Sequence, residues 1–214
     1  MTEKEIPDLN IFMVCKKLNT NALTKLSGDF YIRKCKKEEF DIWAAFPFDS
    51  KKEAKEYYNF MVDYFDKTYA SKEDVFYQKC LFVCDRNDKP IATCFIWKAY
   101  NKINAIHWFK TLKNYEGLGI GRALLSFIMK DLKDEEYPIY LHTQPASFRA
   151  IGLYSDFGFE ILTDPMYGSR TNDYQKCLPI LENFMTEKRY KGLTFTKAPK
   201  YFIEVVASSN NEEL

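Results

Sequence analysis

Apolar and polar positions alternate over residues 30–35, F-Y-I-R-K-C, which predicts a first strand. Helical spacing follows over 37–45 and 51–69, the latter with Tyr57, Tyr58, Met61, Tyr64 and Phe65 at core-facing intervals. Residues 79–84 form a short apolar strand. The turn-rich run D-R-N-D-K-P at 85–90 then leads to a partner strand at 91–99, and a third strand occupies 103–111. Beyond a glycine-rich loop the period lengthens to 3.6, with Leu124, Phe127, Ile128 and Leu132 on one face of a helix at 121–132. A short strand at 139–142, a helix at 147–157 capped by Ser147 and stopped at Gly158, and a strand at 159–162 complete the clear pattern. Past 163 the signal fades into a helix at 179–187 and one more strand, at 193–197 or at 201–206. Residues 1–28 are weakly patterned and read as an N-terminal arm or helix. A single domain spans 29–207, and a disordered tail runs from 208 to 214. This order describes an α/β (α+β mixed) fold, a mixed sheet with helices on both faces.

A chain of 214 residues with 46% hydrophobic and 29% charged residues has enough material for one full core. The 18 Phe and 15 Tyr are first of all core material. A net charge of +1 gives no reason to invoke nucleic acid or an acidic membrane as partner. The six cysteines form no C-x-x-C pair and no zinc spacing, so no metal is expected and buried free thiols in a reducing compartment are. No basic-plus-apolar signal opens the chain and no apolar run reaches membrane length; the expected location is the cytoplasm.

The candidate chemistry begins at T-L-K-N-Y-E-G-L-G-I-G-R-A, residues 111–123. Gly117, Gly119 and Gly121 permit a tight turn with uncovered amides, and a helix starts at once. The unpaired amides and the positive helix end then share one loop, a cradle for phosphate or pyrophosphate. The spacing is neither that of a P-loop, since Arg122 and Ala123 follow where Lys and Ser/Thr belong, nor the G-x-G-x-x-G of a first-strand dinucleotide turn.

A second motif follows at A-I-G-L-Y-S-D-F-G-F, residues 150–159. With E-G-L-G-I-G-R-A it resembles the GNAT superfamily of acyl-CoA-dependent N-acyltransferases, which carry [Q/R]-x-x-G-x-[G/A] and then A-x-x-x-Y-x-x-x-G-F. Gly119 and Gly121 take the small positions of the loop; Ala150, Tyr154, Gly158 and Phe159 match the second motif without a gap. Glu116 departs from the usual Gln or Arg, and is expected to face solvent or to pair with Lys113 or Arg122. The resemblance covers roughly residues 30–162. It implies a mostly antiparallel sheet of six to seven strands, splayed between the fourth and fifth, and acetyl-CoA as acyl donor.

The resemblance also implies roles. The pantetheine arm would lie on backbone groups near Phe109 and Thr111, with the Thr111 or Leu112 amide polarising the thioester. The pyrophosphate would sit on the amides of Leu118, Gly119, Ile120, Gly121, Arg122 and Ala123, after Glu116 and Gly117. Ser147 and Arg149 are within reach of the donor or the loop. Tyr154 would protonate the departing thiolate. His107 and His142, the two histidines, are the candidate proton acceptors; alternation places His107 on one face with Phe109 and Thr111. Trp43, Phe46, Phe48, Tyr57, Tyr58, Trp97 and Trp108 would wall an acceptor pocket suited to a small apolar amine or an amino-acid side chain rather than a polycationic one. The expected activity is acetyl transfer to a primary amine of a small molecule or peptide in a ternary complex. The alternatives are a non-catalytic acyl-CoA-binding domain and an acyltransferase for protein N-termini or lysines. Relatives that pair through edge strands or C-terminal elements make a homodimer a further expectation.

Overall fold

The computed structural model describes residues 2–209 and 213. Its strands are β1 (Ile11–Cys15), β2 (Tyr31–Lys34), β3 (Leu81–Cys84), β4 (Pro90–Ala99), β5 (Ile103–Thr111), β6 (Ile139–Thr143), β7 (Phe159–Leu162), β8 (Met166–Tyr167), β9 (Arg170–Thr171) and β10 (Phe195–Thr196). The helices are α1 (Phe40–Ala45), α2 (Lys51–Glu56), α3 (Tyr58–Thr68), α4 (Glu73–Lys79), α5 (Ile120–Met129), α6 (Phe148–Asp156), α7 (Tyr174–Phe184), α8 (Glu187–Lys191) and α9 (Lys200–Ala207). Eight strands form one sheet in the order β10-β7-β1-β6-β5-β4-β3-β2, and β8–β9 make a separate ribbon. All neighbours are antiparallel except β5–β6 and β7–β10.

The mixed α/β architecture stands, with eight strands in place of six to seven. The added strand at the centre is β1, and it corrects the expectation of an arm or helix before residue 29. Its sequence I-F-M-V-C is buried at every position and paired on both edges, with β6 and with β7. A strand covered on both faces has no polar side, so it lacks the alternation that marks a half-exposed one. The helix expected over 51–69 is broken at Tyr57 into α2 and α3. Ser50 caps the first piece, its hydroxyl accepting the Glu53 amide at 3.2 Å. An additional helix, α4, seats Phe76 in the core ahead of β3.

At the far end, the strand at 193–197 forms as β10, whereas 201–206 is helical and buries Phe202, Val205 and Val206. α7 starts at Tyr174, well before the expected 179, and keeps Pro179 inside. The face carrying Cys177, Ile180 and Leu181 is buried, and that packing outweighs the hydrogen bond proline forfeits. Of the tail, 210–212 and 214 lie outside the described residues. Ser208 and Ser209 close α9 through bonds to Glu204 and Val205.

Two cores flank the sheet. On one face α5, α6 and α7 pack Leu124, Leu125, Ile151 and Leu181 against Met13, Ile106, Leu141 and Ile161. On the other, α1, α3, α4 and α9 pack Trp43, Phe65, Phe76 and Phe202 against Phe12, Phe82, Phe95 and Tyr140. Two features of β5 set up the site. It pairs with β6 only at Asn104↔Ile139 and Ala105↔Tyr140, so the strands part beyond that point, where the splay was expected. It also carries a bulge: Phe95 faces His107 but Thr93 faces Lys110, and Trp108 adopts φ 52°.

Candidate functional site

The loop after β5 behaves as its glycines dictate. Gly117 and Gly119 have φ of 80° and 77°, and a Cβ on either would meet nothing within 4 Å, so the space above them is open. Gly119 caps α5, and the first helical bond runs from the Ala123 amide to the Gly119 carbonyl at 3.0 Å. The amides of Ile120, Gly121 and Arg122 make no backbone bond among the described residues. The Leu118 and Gly119 amides of the turn likewise make no backbone bond among the described residues. The Ala123 amide, in contrast, is already bonded within the helix, and the Leu118 side chain is exposed. Gly121 serves closeness: a Cβ there would stand 2.9 Å from Phe109 Cζ and 3.4 Å from Thr111 Oγ1.

The loop opens into a cleft of about 570 Å³ lined by Phe109, Thr111, Glu116, Gly117, Gly119, Gly121, Ser147, Ala150 and Leu153, among others. One wall is the end of β5. The Leu112 amide donates to the Ile91 carbonyl at 2.9 Å, so it is committed to the sheet and does not face a thioester. By alternation the Thr111 amide, and past the bulge that of Phe109, point away from β4 toward the edge β6 has left. The other wall is α6, where Ser147 makes no capping bond and its hydroxyl is available to the cleft.

The charges around this cleft differ from expectation. Arg122 pairs with Asp156 and lies over the Phe157 ring at 5.9 Å, so it braces α5 against α6. Asp156 also receives Arg189 at 2.9 Å, and these two cations outweigh the upward push of burial and lower its pKa. Glu116 is exposed, the first of its two expected placements, and forms no ion pair with Lys113 or Arg122 among the described residues. It lines the cleft near Arg149, whose guanidinium Glu3 holds at 2.8 Å; Glu3 first and Glu116 last among the causes raise the pKa of that arginine. Lys110 is bonded to Asp49 at 2.6 Å on the opposite rim. Arg189, Glu3 and Asp49 escaped the sequence reading because they come from segments far from either motif.

Tyr154 is 5% exposed, between the rings of Phe109 and Phe159, each 5.6 Å away. Burial holds its pKa well above that of a free phenol, so it is protonated at neutral pH. The two histidines lie on the other face of the sheet. The bulge at Trp108 breaks the alternation that would have put His107 with Phe109 and Thr111. His107 packs instead with Tyr69 and Phe95, and its Nδ1 is 2.5 Å from the Tyr69 hydroxyl. Burial pushes its pKa down to about 3, with the Glu213 carbonyl pulling the other way. His142 Nε2 lies 2.8 Å from Asn10 Oδ1, and burial together with Arg170 lowers its pKa to about 3 as well. Both imidazoles are thus neutral at neutral pH, and His107 does not share a face with Phe109 and Thr111 as alternation had it.

The expected acceptor aromatics divide. Trp43, Phe46 and Trp97 are core. Phe48 and Tyr57 stack at 5.3 Å beside Asp49, and Trp43 meets Trp108 edge-on at 5.7 Å. All six cysteines are buried and free. No group of three or more metal-ligating side chains occurs among the described residues, and no described helix is long and apolar enough to cross a membrane.

No curated protein matches the sequence. Among solved structures, a Drosophila protein is 16% identical over 73% of this chain and 48% of its own, with a TM-score of 0.47. A GNAT-family protein from Novosphingobium aromaticivorans is 14% identical over 72% and 60%, with a TM-score of 0.44. A GCN5-related N-acetyltransferase from Sphaerobacter thermophilus is 13% identical over 64% and 43%, with a TM-score of 0.41. The chain thus spans between 43% and 60% of the length of these three. The sequence matches the Acetyltransferase (GNAT) family over residues 39–159, more than half of the chain and inclusive of both motifs. On that match, this chain belongs to the GNAT acetyltransferase family.

Proposed function

We propose that the protein transfers an acetyl group from acetyl-CoA to a primary amine of a small molecule or peptide, by direct attack with both substrates bound. The observation that carries this reading is the set of unpaired amides at Ile120, Gly121 and Arg122 opening into a cleft whose β5 wall keeps a free edge. The amides and the α5 dipole receive the pyrophosphate. Ser147 and Arg149 supply further donors, Arg149 once it leaves Glu3. The Phe109 and Thr111 edge pairs with pantetheine amides as an added strand would. Gly121 keeps the Phe109 ring against this wall.

The chemistry asks little of the protein beyond placement. The amine attacks as the free base, since neither histidine is set to take its proton. As the carbon–sulfur bond breaks, its electron pair goes to sulfur, and Tyr154 donates a proton there. The proton lost from nitrogen leaves through water and restores the phenol, so the exchange balances. The free buried thiols suit a reducing compartment such as the cytoplasm.

Calorimetric titration with acetyl-CoA, wild type against Gly119→Glu, tests the reading. Binding that the variant abolishes, followed by amine-dependent release of free thiol, is the expected result. Binding with no thiol release from any amine or peptide would mark a non-catalytic acyl-CoA-binding domain, and absence of binding would refute the donor assignment.

A further inference from the structure

One carboxylate stands inside the cleft that the glycine loop opens. Glu3 lies on the one-turn helix Glu3–Glu5 ahead of β1, and it lines the cleft together with Arg149, Lys113 and Gly119. Its two oxygens meet the Arg149 guanidinium at 2.8 and 3.4 Å. Lys113, on the loop leaving β5, acts on the same group. The Arg149 bond first, and Lys113 after it, hold the Glu3 pKa below the ordinary carboxylate value against slight desolvation. A carboxylate thus stands in the field of one cation from the α6 wall and one from the β5 wall. That is the position an anionic group of a bound ligand would take.

The surroundings favour exchange of that anion. Arg149 sits in the first turn of α6, where the helix presents its positive end and no acidic side chain offsets it. A cation there gains from an anion in front of it, and Glu3 supplies one in this structure. The Arg149 guanidinium lies 4.5 Å above the Phe148 ring, which stacks on Phe184 at 5.3 Å, so it keeps its place when the carboxylate departs. Glu3, by contrast, is lightly held. The side chains of the pair are 61% and 48% exposed, and water and salt screen an ion pair of that kind. Farther along, Asn10 is anchored on both sides, its amide donating to Asp173 Oδ2 at 3.3 Å and its carbonyl accepting the Asp173 amide at 2.8 Å. The turn can therefore lift without disturbing β1.

We infer that Glu3 is a built-in occupant of the donor cleft: its carboxylate holds the place of a donor phosphate beside Arg149 and Lys113, and the segment ahead of β1 must lift for acyl-CoA to bind in full. Donor binding and docking of the segment then oppose one another, each weakening the other by the same factor. The word donor rests on the acyl-transfer reading above; the competition between Glu3 and a phosphate anion does not.

The test titrates the full chain with acetyl-CoA by calorimetry at one low ionic strength, wild type against Glu3→Gln and Glu5→Gln. Glu5 carries the same charge on the same turn, but its carboxylate accepts the Thr2 amide at 2.7 Å, outside the cleft lining. Glu3→Gln should tighten acetyl-CoA binding about 3- to 5-fold, the most an exposed pair supports, and Glu5→Gln should leave it unchanged. In an Arg149→Gln background the gain from Glu3→Gln should fall below about 2-fold, because the two side chains act as a pair. Equal tightening by Glu3→Gln and Glu5→Gln, no tightening by Glu3→Gln, or the same gain without Arg149 would overturn the inference. Inorganic pyrophosphate, followed by phosphorus NMR, separates the two readings. If no variant binds acetyl-CoA, the acyl-transfer reading falls, while pyrophosphate binding tightened by Glu3→Gln alone still upholds the competition. Pyrophosphate that binds wild type, Glu3→Gln and Glu5→Gln equally, or binds none of them, removes it.

Discussion

Gly121→Ala isolates what the third loop glycine contributes. The position is helical, so alanine brings no backbone strain and by propensity alone would stabilise α5 by up to about 1 kcal/mol. Against this, the new methyl would stand 2.9 Å from Phe109 Cζ, closer than side-chain carbons come, and the ring must retreat. It cannot retreat freely, since Tyr154 lies on it at 5.6 Å. Overpacking of this kind costs about 1–3 kcal/mol, so the net change is a loss of roughly 0–2 kcal/mol. The displaced ring intrudes on the cleft, and acetyl-CoA affinity should fall about 10-fold, or about 1.4 kcal/mol. The discriminating assay is a double-mutant cycle with Phe109→Leu, read by urea denaturation and calorimetry. Leucine lacks the offending ring atom, so in that background Gly121→Ala should become neutral or stabilising, a coupling of about 1–2 kcal/mol. If Gly121→Ala costs the same in both backgrounds, the close approach to Phe109 is not why glycine is needed, and the account of this wall of the cleft fails.

Three further expectations follow from the geometry. Tyr154→Phe should lower kcat about 100-fold with little change in KM or Tm, because its hydroxyl bonds nothing in the protein among the described residues; an unchanged kcat would remove it from the chemistry. His107 has a folded pKa near 3 against an ordinary 6.5, so below pH 6.5 the unfolded chain binds the proton first. Stability is then complete above pH 6.5 and falls by about 1.4 kcal/mol per pH unit as pH drops toward 4.5. Urea midpoints for wild type and His107→Gln should diverge in that window, and parallel curves would contradict the burial assigned to the ring. Arg33 forks onto Glu39 at 2.6 and 2.7 Å and reaches Asp88 at 2.6 Å, with the first pair only 16% and 11% exposed. Arg33→Ala strands the Glu39 carboxylate and should cost about 3 kcal/mol in denaturant titration, whereas Lys37→Ala on the exposed rim should leave the midpoint where it is.

What the sequence made legible was whatever local chemistry dictates. The β4–β5 hairpin, the glycine turn into α5 and the α6–β7 junction follow from alternation, turn residues and helical period, and the structure has them in place. β1 was illegible because a strand buried on both faces reads as an undifferentiated apolar run. The bulge was illegible for another reason: Trp108 at φ 52° carries no glycine or asparagine to announce a left-handed residue. That one extra residue moved His107 to the opposite face from Phe109. Arg122 looked like a phosphate ligand from its place in the loop, yet Asp156 on α6 claims it. For Arg122 the deciding partner lies dozens of residues away, where no local pattern can point.

The placement of β1 has a consequence for how the chain comes together. Its two sheet partners, β6 and β7, lie in the second half of the sequence, and β10 joins later still. During synthesis β1 emerges before the other strands of this sheet, and both its hydrogen-bonding edges wait for β6 and β7 to follow. The β2–β5 meander can close in the meantime, since its neighbours follow one another directly. The half of the sheet that bears α6 and Tyr154 is thus closed only by pairing across most of the chain, between β1 and strands far downstream of it.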